Sequence, residues 1–160
     1  MATQHVFTYG SLMFERVWRT VVSGRYRSMP ATLRGYRRQR VRGQDYPSLQ
    51  RRQADDPSDT GGAVGPVDGV LYLDVETSDI AALDAFEGAD YRRVEVRVIL
   101  AAAPHAPRGT VFATTYLYVA DDKVEPGPWD PGLFEREAID RFLRNHPPPR
   151  RGAGDAGEPG

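Results

Sequence analysis

Two short stretches carry residue types that can do chemistry together. The first is Val6-Phe7-Thr8-Tyr9-Gly10-Ser11-Leu12, a strand-like run that breaks sharply at a glycine. A break of that kind turns backbone N–H groups toward a bound anion or carbonyl oxygen. The second is Leu83-Asp84-Ala85-Phe86-Glu87-Gly88, which puts a carboxylate at the end of an expected helix, just ahead of a strand beginning near Tyr91. One stretch offers donors and the other a base, and together they suggest an enzyme acting on a small molecule.

Glu87 is placed to be a better base than a solvated glutamate. In the last turn of a helix it faces the negative end of the macrodipole, and partial burial beside Phe86 disfavours its ionised form further. Both effects raise its pKa. The competing picture is a surface glutamate at a frayed helix end. At Gly10 the absence of a side chain permits a close approach, although a plain strand-to-helix turn would also use glycine. Ser11 is not read as a nucleophile, because it lacks a Gly-x-Ser-x-Gly setting and His5, His105 and His146 form no relay with it. Tyr91 is placed to hydrogen-bond Glu87 or a ligand, with Tyr46 and Pro47 as pocket walls. Tyr116 and Tyr118, on one face of a strand, are further candidates for its border, while Trp129 is read as pinning the C-terminal helix.

The elements that must position these residues follow from periodicity. His5 to Tyr9 alternates as an opening strand, and Phe14, Val17, Trp18, Val21 and Val22 recur at helical spacing before Gly24. Residues 31–50 contain two strand-like stretches, the first with Leu33 and Tyr36 and the second ending in Tyr46-Pro47-Ser48-Leu49; Pro47 argues for a sheet edge or a bulge. Residues 53–66 have the composition of an exposed, mobile loop. Val67 to Val75 reads as a strand with Val67, Gly69, Leu71 and Leu73 facing one way and Asp68, Val70, Tyr72 and Asp74 the other. Ser78 is the expected cap of a helix carrying Ile80, Leu83 and Phe86 on one face, with Asp79 in the first turn and Gly88 as the stop. Two more strands, Tyr91 to Ala101 and Thr110 to Val119, precede a helix over Leu133 to Arg144. Residues 147–160, rich in proline and glycine, read as a disordered tail after a domain spanning 1–146. Strands grouped between few helices argue against a regularly alternating doubly wound sheet. An α+β domain built round a mixed, barrel-like sheet is expected.

The 160 residues fit one domain with a real core. The absence of cysteine excludes disulfides and thiolate chemistry. No basic region precedes an apolar stretch, and no run approaches the roughly 20 apolar residues that span a bilayer. The protein is read as soluble and cytoplasmic, with no membrane partner. The formal net charge is −1, yet 11 arginines fall between Arg16 and Arg52 against only Glu15 and Asp45. Alternating residues such as Arg38, Arg40 and Arg42 suit the solvated side of strands, and no nucleic-acid motif accompanies them, so no nucleic acid is expected as a partner. Asp55, Asp56 and Asp59 form an acidic cluster without the His or Glu set that would complete a metal site.

Taken in order, Tyr9-Gly10-Ser11-Leu12, Asp45-Tyr46-Pro47, the strand Val67-Asp68-Gly69-Val70-Leu71-Tyr72, and Phe86-Glu87-Gly88 followed by Tyr91-Arg92-Arg93 resemble the gamma-glutamylcyclotransferase-like superfamily, and within it the gamma-glutamylamine cyclotransferase and AIG2-like branch. The resemblance covers roughly residues 5–119, and the ordered set is far more specific than any one motif. It implies a small mixed β-barrel with flanking helices. It also implies an intramolecular aminolysis in which the α-amine of a γ-glutamyl group attacks its own γ-carbonyl, releasing 5-oxoproline and an amine or amino acid, with no metal or organic cofactor. Glu87 is the implied general acid/base, and Tyr9, Gly10, Ser11, Leu12, Tyr46, Pro47 and Tyr91 the implied substrate-binding set. The chain departs from the compact pattern in its 53–66 loop, its proline-rich 103–109 connection and its tail, which leaves the leaving group open. A non-catalytic binding module on the same fold is the alternative, and oligomeric state is not legible.

Overall fold

The computed structural model describes residues 2–52, 66–100 and 109–145. The expectations for a mobile loop, for a proline-rich connection, for the acidic cluster and for a disordered tail concern residues that lie almost entirely outside these.

The core of the architecture is a closed barrel of five strands in the order β1-β5-β2-β6-β7, formed by Thr3–Thr8 (β1), Ser28–Leu33 (β2), Val67–Glu76 (β5), Tyr91–Leu100 (β6) and Thr110–Tyr118 (β7). Its neighbours pair antiparallel except where β1 meets β7 in parallel, at Val6 and Thr114, closing the barrel. A second sheet of three strands, ordered β4-β3-β8, joins Tyr36–Val41 (β3), Pro47–Arg51 (β4) and Val124–Pro128 (β8). Three helices flank the sheets: α1 (Glu15–Val21), α2 (Thr77–Glu87) and α3, which runs from Pro131–Leu133 through a π-helical turn at Phe134–Ala138 to Ile139–Asn145. The fold is therefore the mixed α+β barrel that the grouping of strands leads one to expect. No helix among the described residues is long and apolar enough to cross a membrane.

Strand alternation divides the apolar residues between two cores. Phe7, Leu33, Leu71, Val98 and Leu117 belong to a cluster fed almost wholly by strands, the inner face of the barrel. Val6, Tyr72 and Tyr116, their neighbours in sequence, belong to the other cluster, with Val17, Leu83, Phe134 and Phe142 of the helices. Each fully buried aliphatic side chain stabilises the fold by roughly 1.5–3 kcal/mol.

Four local expectations need correction. The stretch holding Leu33 and Tyr36 is two strands, β2 and β3, because Gly35 between them adopts φ 85° and turns the chain. The alternation of β5 does not persist to its end. Asp74 takes φ 53° at a register shift opposite β1, so Val75 joins the helix-facing core with Tyr72. Ser78 does not cap α2, since the helix leaves the strand directly at Thr77 with Glu76 as the N-cap residue, and no side chain caps it. Of the alternating arginines, Arg40 and Arg42 are exposed as expected and donate to the carbonyls of Pro126 (3.1 Å) and Asp122 (2.8 Å), but Arg38 is half-buried and donates to the Tyr9 carbonyl (2.8 Å). β8 itself was not expected, because a Val-Glu-Pro-Gly-Pro segment has almost no strand character and forms only as the partner of β3. Pro47 does sit at an edge, opening β4, which pairs with β3 alone.

Candidate active site

Glu87 lines a cavity of about 300 Å³ at one end of the barrel. The other walls are Val6 to Leu12 from the end of β1, Tyr46 and Pro47 from the start of β4, Ala89 to Tyr91 leading into β6, Tyr116 of β7, and Phe86 and Phe142 from α2 and α3. All eight residues singled out in the sequence are thus brought together around one space. Tyr118 is absent from its lining, whereas Tyr116 belongs to it.

The sequence explains how each wall is held. α2 ends at Gly88, whose φ of 76° is accessible to glycine at little cost and whose N–H closes on the Asp84 carbonyl (3.1 Å), so Glu87 is the last helical residue. Gly10 has an extended rather than left-handed φ of −130°, and its importance is space: a Cβ there would lie 2.8 Å from two carbons of the Pro47 ring. The close approach expected at Gly10 is therefore made by β4. The Tyr46 and Pro47 wall is fixed from behind at Asp45, whose carbonyl accepts from Trp129 Nε1 (2.7 Å) and whose carboxylate accepts from Arg141 Nε and Nη2 (2.9 and 2.6 Å). Trp129 also packs on Phe134, its ring centroid 5.5 Å away, and so does pin α3.

Beyond Gly10 the backbone forms one short turn of 3-10 helix, Ser11–Met13, in which Met13 N–H donates to Gly10 O (3.0 Å) and Phe14 N–H to Ser11 O (3.2 Å). The N–H groups of Gly10, Ser11 and Leu12 bond to no described residue. The Ser11 hydroxyl is likewise unpartnered, on a residue only 7% exposed. The residues that carry these unused donors line one wall of the cavity.

Across it, the Glu87 carboxylate receives no hydrogen bond from the described residues. Its pKa is pushed from the ordinary 4.5 up to about 8, first by burial and then by the neighbouring Asp84 carboxylate. Asp84 stands one turn earlier on α2 and is a residue that reasoning from sequence missed. Its Oδ1 accepts from the Tyr116 hydroxyl (2.7 Å) and its Oδ2 from Arg93 Nη1 (3.0 Å), so it fastens the last turn of α2 to β7 and β6. The i, i+3 spacing of Asp84 and Glu87 was the available signal.

Two tyrosines of the cavity lining use their hydroxyls within the protein. The Tyr91 hydroxyl donates to the Pro47 carbonyl (2.7 Å) rather than to Glu87, so it braces one wall of the cavity against another. Tyr9 donates to the Tyr116 carbonyl (2.6 Å) and is 7% exposed; burial and the charge of Glu87 raise its pKa, and Arg38 opposes them. Neither phenol is poised to ionise near neutrality, and Glu87 is the group whose proton is exchangeable there. Among the described residues, no group of three or more His, Cys, Asp or Glu could hold a metal ion.

Residues 6–131 match the family described as gamma-glutamyl cyclotransferase, AIG2-like. The chain belongs to that family. Among curated relatives, Protein AIG2 C of Arabidopsis thaliana is 30% identical over 129 residues, which cover 80% of this chain and 70% of the relative. An Arabidopsis thaliana protein of known solution structure superposes with a TM-score of 0.63 at 26% identity, over 91% of this chain and 80% of its own. A solved gamma-glutamyl cyclotransferase superposes with a TM-score of 0.56 at 18% identity, over 99% of this chain and all of its own. That likeness is one of fold. The gamma-glutamyl cyclotransferase-like fold accounts for the barrel, and its cavity contains the Glu87 and Tyr9-to-Leu12 elements that the sequence singled out.

Proposed function

We propose that this member of the AIG2-like family is a cyclotransferase that releases 5-oxoproline from a γ-glutamyl amine or γ-glutamyl amino acid, with Glu87 as general acid and base. The observation that carries the reading is the pairing in one cavity of a partly buried, unpartnered carboxylate with a wall of unused backbone donors.

The α-ammonium of a γ-glutamyl group has no lone pair with which to attack. Glu87 removes its proton, and the freed amine adds to the γ-carbonyl carbon, forming the new C–N bond of the lactam. As the original amide C–N bond breaks, Glu87 gives that proton to the departing nitrogen, and the ring nitrogen, which still carries two hydrogens after the attack, sheds one to the released amine, yielding 5-oxoproline and an ammonium product. Atoms and charge balance without water, metal or organic cofactor. A carboxyl whose pKa is raised to about 8 is a stronger base than a solvated glutamate, which lowers the cost of taking the ammonium proton. The Gly10, Ser11 and Leu12 N–H groups serve the substrate's carboxylate or the oxygen on which charge develops.

The test is a panel of γ-glutamyl amines and γ-glutamyl amino acids incubated with wild-type protein and Glu87→Gln, with 5-oxoproline measured by mass spectrometry. Release by wild type, reduced by about 10²–10⁴-fold in the near-isosteric variant, is expected for loss of a general acid/base. The best substrate identifies the leaving group. No release from any member of the panel by folded wild-type protein would refute the assignment and leave a binding module on the same fold.

A further inference from the structure

The donor wall is shaped from behind by a residue that does not line the cavity. Arg38, on β3, directs Nη1 at the Tyr9 carbonyl (2.8 Å) and at the Asp68 carbonyl (3.1 Å), and its Cζ lies 5.5 Å above the ring centroid of Trp129. It bonds directly to the segment carrying the unused N–H groups.

The effect of that bond follows from backbone geometry. The 3-10 turn joins Met13 N–H to Gly10 O and Phe14 N–H to Ser11 O. Continued one residue toward the N-terminus, the same ladder would join Leu12 N–H to Tyr9 O. That bond is not made, because Gly10 holds φ −130° and ψ −133°, outside the helical region, and the Tyr9 carbonyl is held by Arg38. A trans peptide points its C=O and N–H in opposite directions, and the described chain contains no cis peptide. Drawing Tyr9 O toward Arg38 therefore sends the Gly10 N–H the other way, and Gly10 lines the cavity. A charged donor on the carbonyl also polarises the peptide and strengthens its N–H as a donor. The Ser11 hydroxyl, on another residue of the same wall, also has no partner among the described residues.

We propose that Arg38 is a positioning residue that withholds the Tyr9 carbonyl from the 3-10 ladder and so keeps the Gly10 and Leu12 N–H groups free for an anionic oxygen of the substrate. The identity of that anion rests on the cyclotransferase reading; the competition for the Tyr9 carbonyl does not. Without the guanidinium, a carbonyl on a residue 7% exposed must find another donor, and Leu12 N–H becomes that donor once Gly10 turns to helical dihedrals.

Arg38→Met removes both donor and charge, and Arg38→Lys retains the charge and a donor. In ligand-free protein, amide hydrogen exchange followed by NMR should show Leu12 exchanging rapidly in wild type, at least tenfold more slowly in Arg38→Met, and rapidly again in Arg38→Lys. With a turned-over γ-glutamyl substrate, kcat/KM should fall about tenfold or more in Arg38→Met and largely recover in Arg38→Lys. An effect confined to KM would assign the donors to the ground-state carboxylate, and one on kcat to the developing oxyanion. A slowly exchanging Leu12 amide in wild type, or unchanged exchange in Arg38→Met, would overturn the proposal. Should the Met variant not fold, Arg38→Gln, neutral and too short to reach both carbonyls, takes its place: slowed Leu12 exchange supports the role and unchanged exchange rejects it. If Leu12 responds as expected while wild type releases no 5-oxoproline, the reaction assignment fails and the positioning role stands.

Discussion

Helix α2 carries a carboxylate near each end, one buried and one partly buried, and the two are treated in opposite ways. Asp79, in the first turn, is 3% exposed and accepts from Ser23 N–H and Gly24 N–H (both 2.9 Å) and from the Tyr26 hydroxyl (2.6 Å). Glu87, in the last turn, accepts nothing from the described residues and lies beside a second carboxylate, Asp84. The helix supplies the same functional group twice. At its beginning, three donors offset the loss of water and the carboxylate ties the chain after α1 to α2. At its end the loss of water is left uncompensated and appears as a raised proton affinity. A satisfied buried carboxylate stabilises a fold, and an unsatisfied one stores a proton for use.

The largest expected break in this comparison is at the satisfied end. Asp79→Ala strands two backbone N–H groups and a phenol, and should destabilise the protein by roughly 3–5 kcal/mol in urea denaturation, while the activity of the folded fraction changes little. A loss below 1 kcal/mol would mean that water replaces the carboxylate freely and that the two ends are not so different.

At the unsatisfied end the expected sign is reversed. Below about pH 4.5 Glu87 is protonated in both the folded and the unfolded chain, and it contributes no difference. Between about 4.5 and 8 the unfolded chain releases the proton and the folded chain retains it, so stability falls with each unit of pH. Above about 8 both are ionised and the cost is complete. Glu87→Gln, which never ionises, should therefore gain on wild type across that window, reaching about 3 kcal/mol, a value kept below 1.36 kcal/mol per unit because the open cavity admits water. Denaturation series at pH 4, 6 and 9 measure the gap, and a gap that stays constant with pH contradicts the raised pKa.

The smallest effect sharpens the cause. Asp84→Asn removes the neighbouring charge while leaving an acceptor for Tyr116 or Arg93, so the pH at which Glu87 titrates should move down without returning to the ordinary carboxylate range. Burial, the larger cause, remains. A full return would make Asp84 rather than burial the dominant influence.

Much of this was legible in the sequence where a local signal and its tertiary consequence coincide. Gly88 marks the end of α2 and therefore the site of Glu87, and the broken strand at Gly10 marks the donor wall. Where the cause lies in a distant element, the sequence was silent. Nothing in Val124–Pro128 indicates a strand, since β8 exists only by pairing with β3. Tyr91 could not be seen to bond Pro47, 44 residues away, nor Arg38 to bond Tyr9 across 29 residues. The same limit applies to Ser78 and Asp79. A local reading places both residues at the start of a helix, and only the chain folding back from α1 explains why Asp79 turns inward.

The central claim, that Glu87 is held unsatisfied so as to carry a proton near neutral pH, is tested most directly by following its side-chain carboxyl carbon by NMR as a function of pH, with Glu87→Gln to assign the signal. A titration centred near 8 is the result this account predicts. A titration in the ordinary carboxylate range near 4.5 would contradict it, because a solvated glutamate has neither the burial nor the proton affinity on which the proposed chemistry depends.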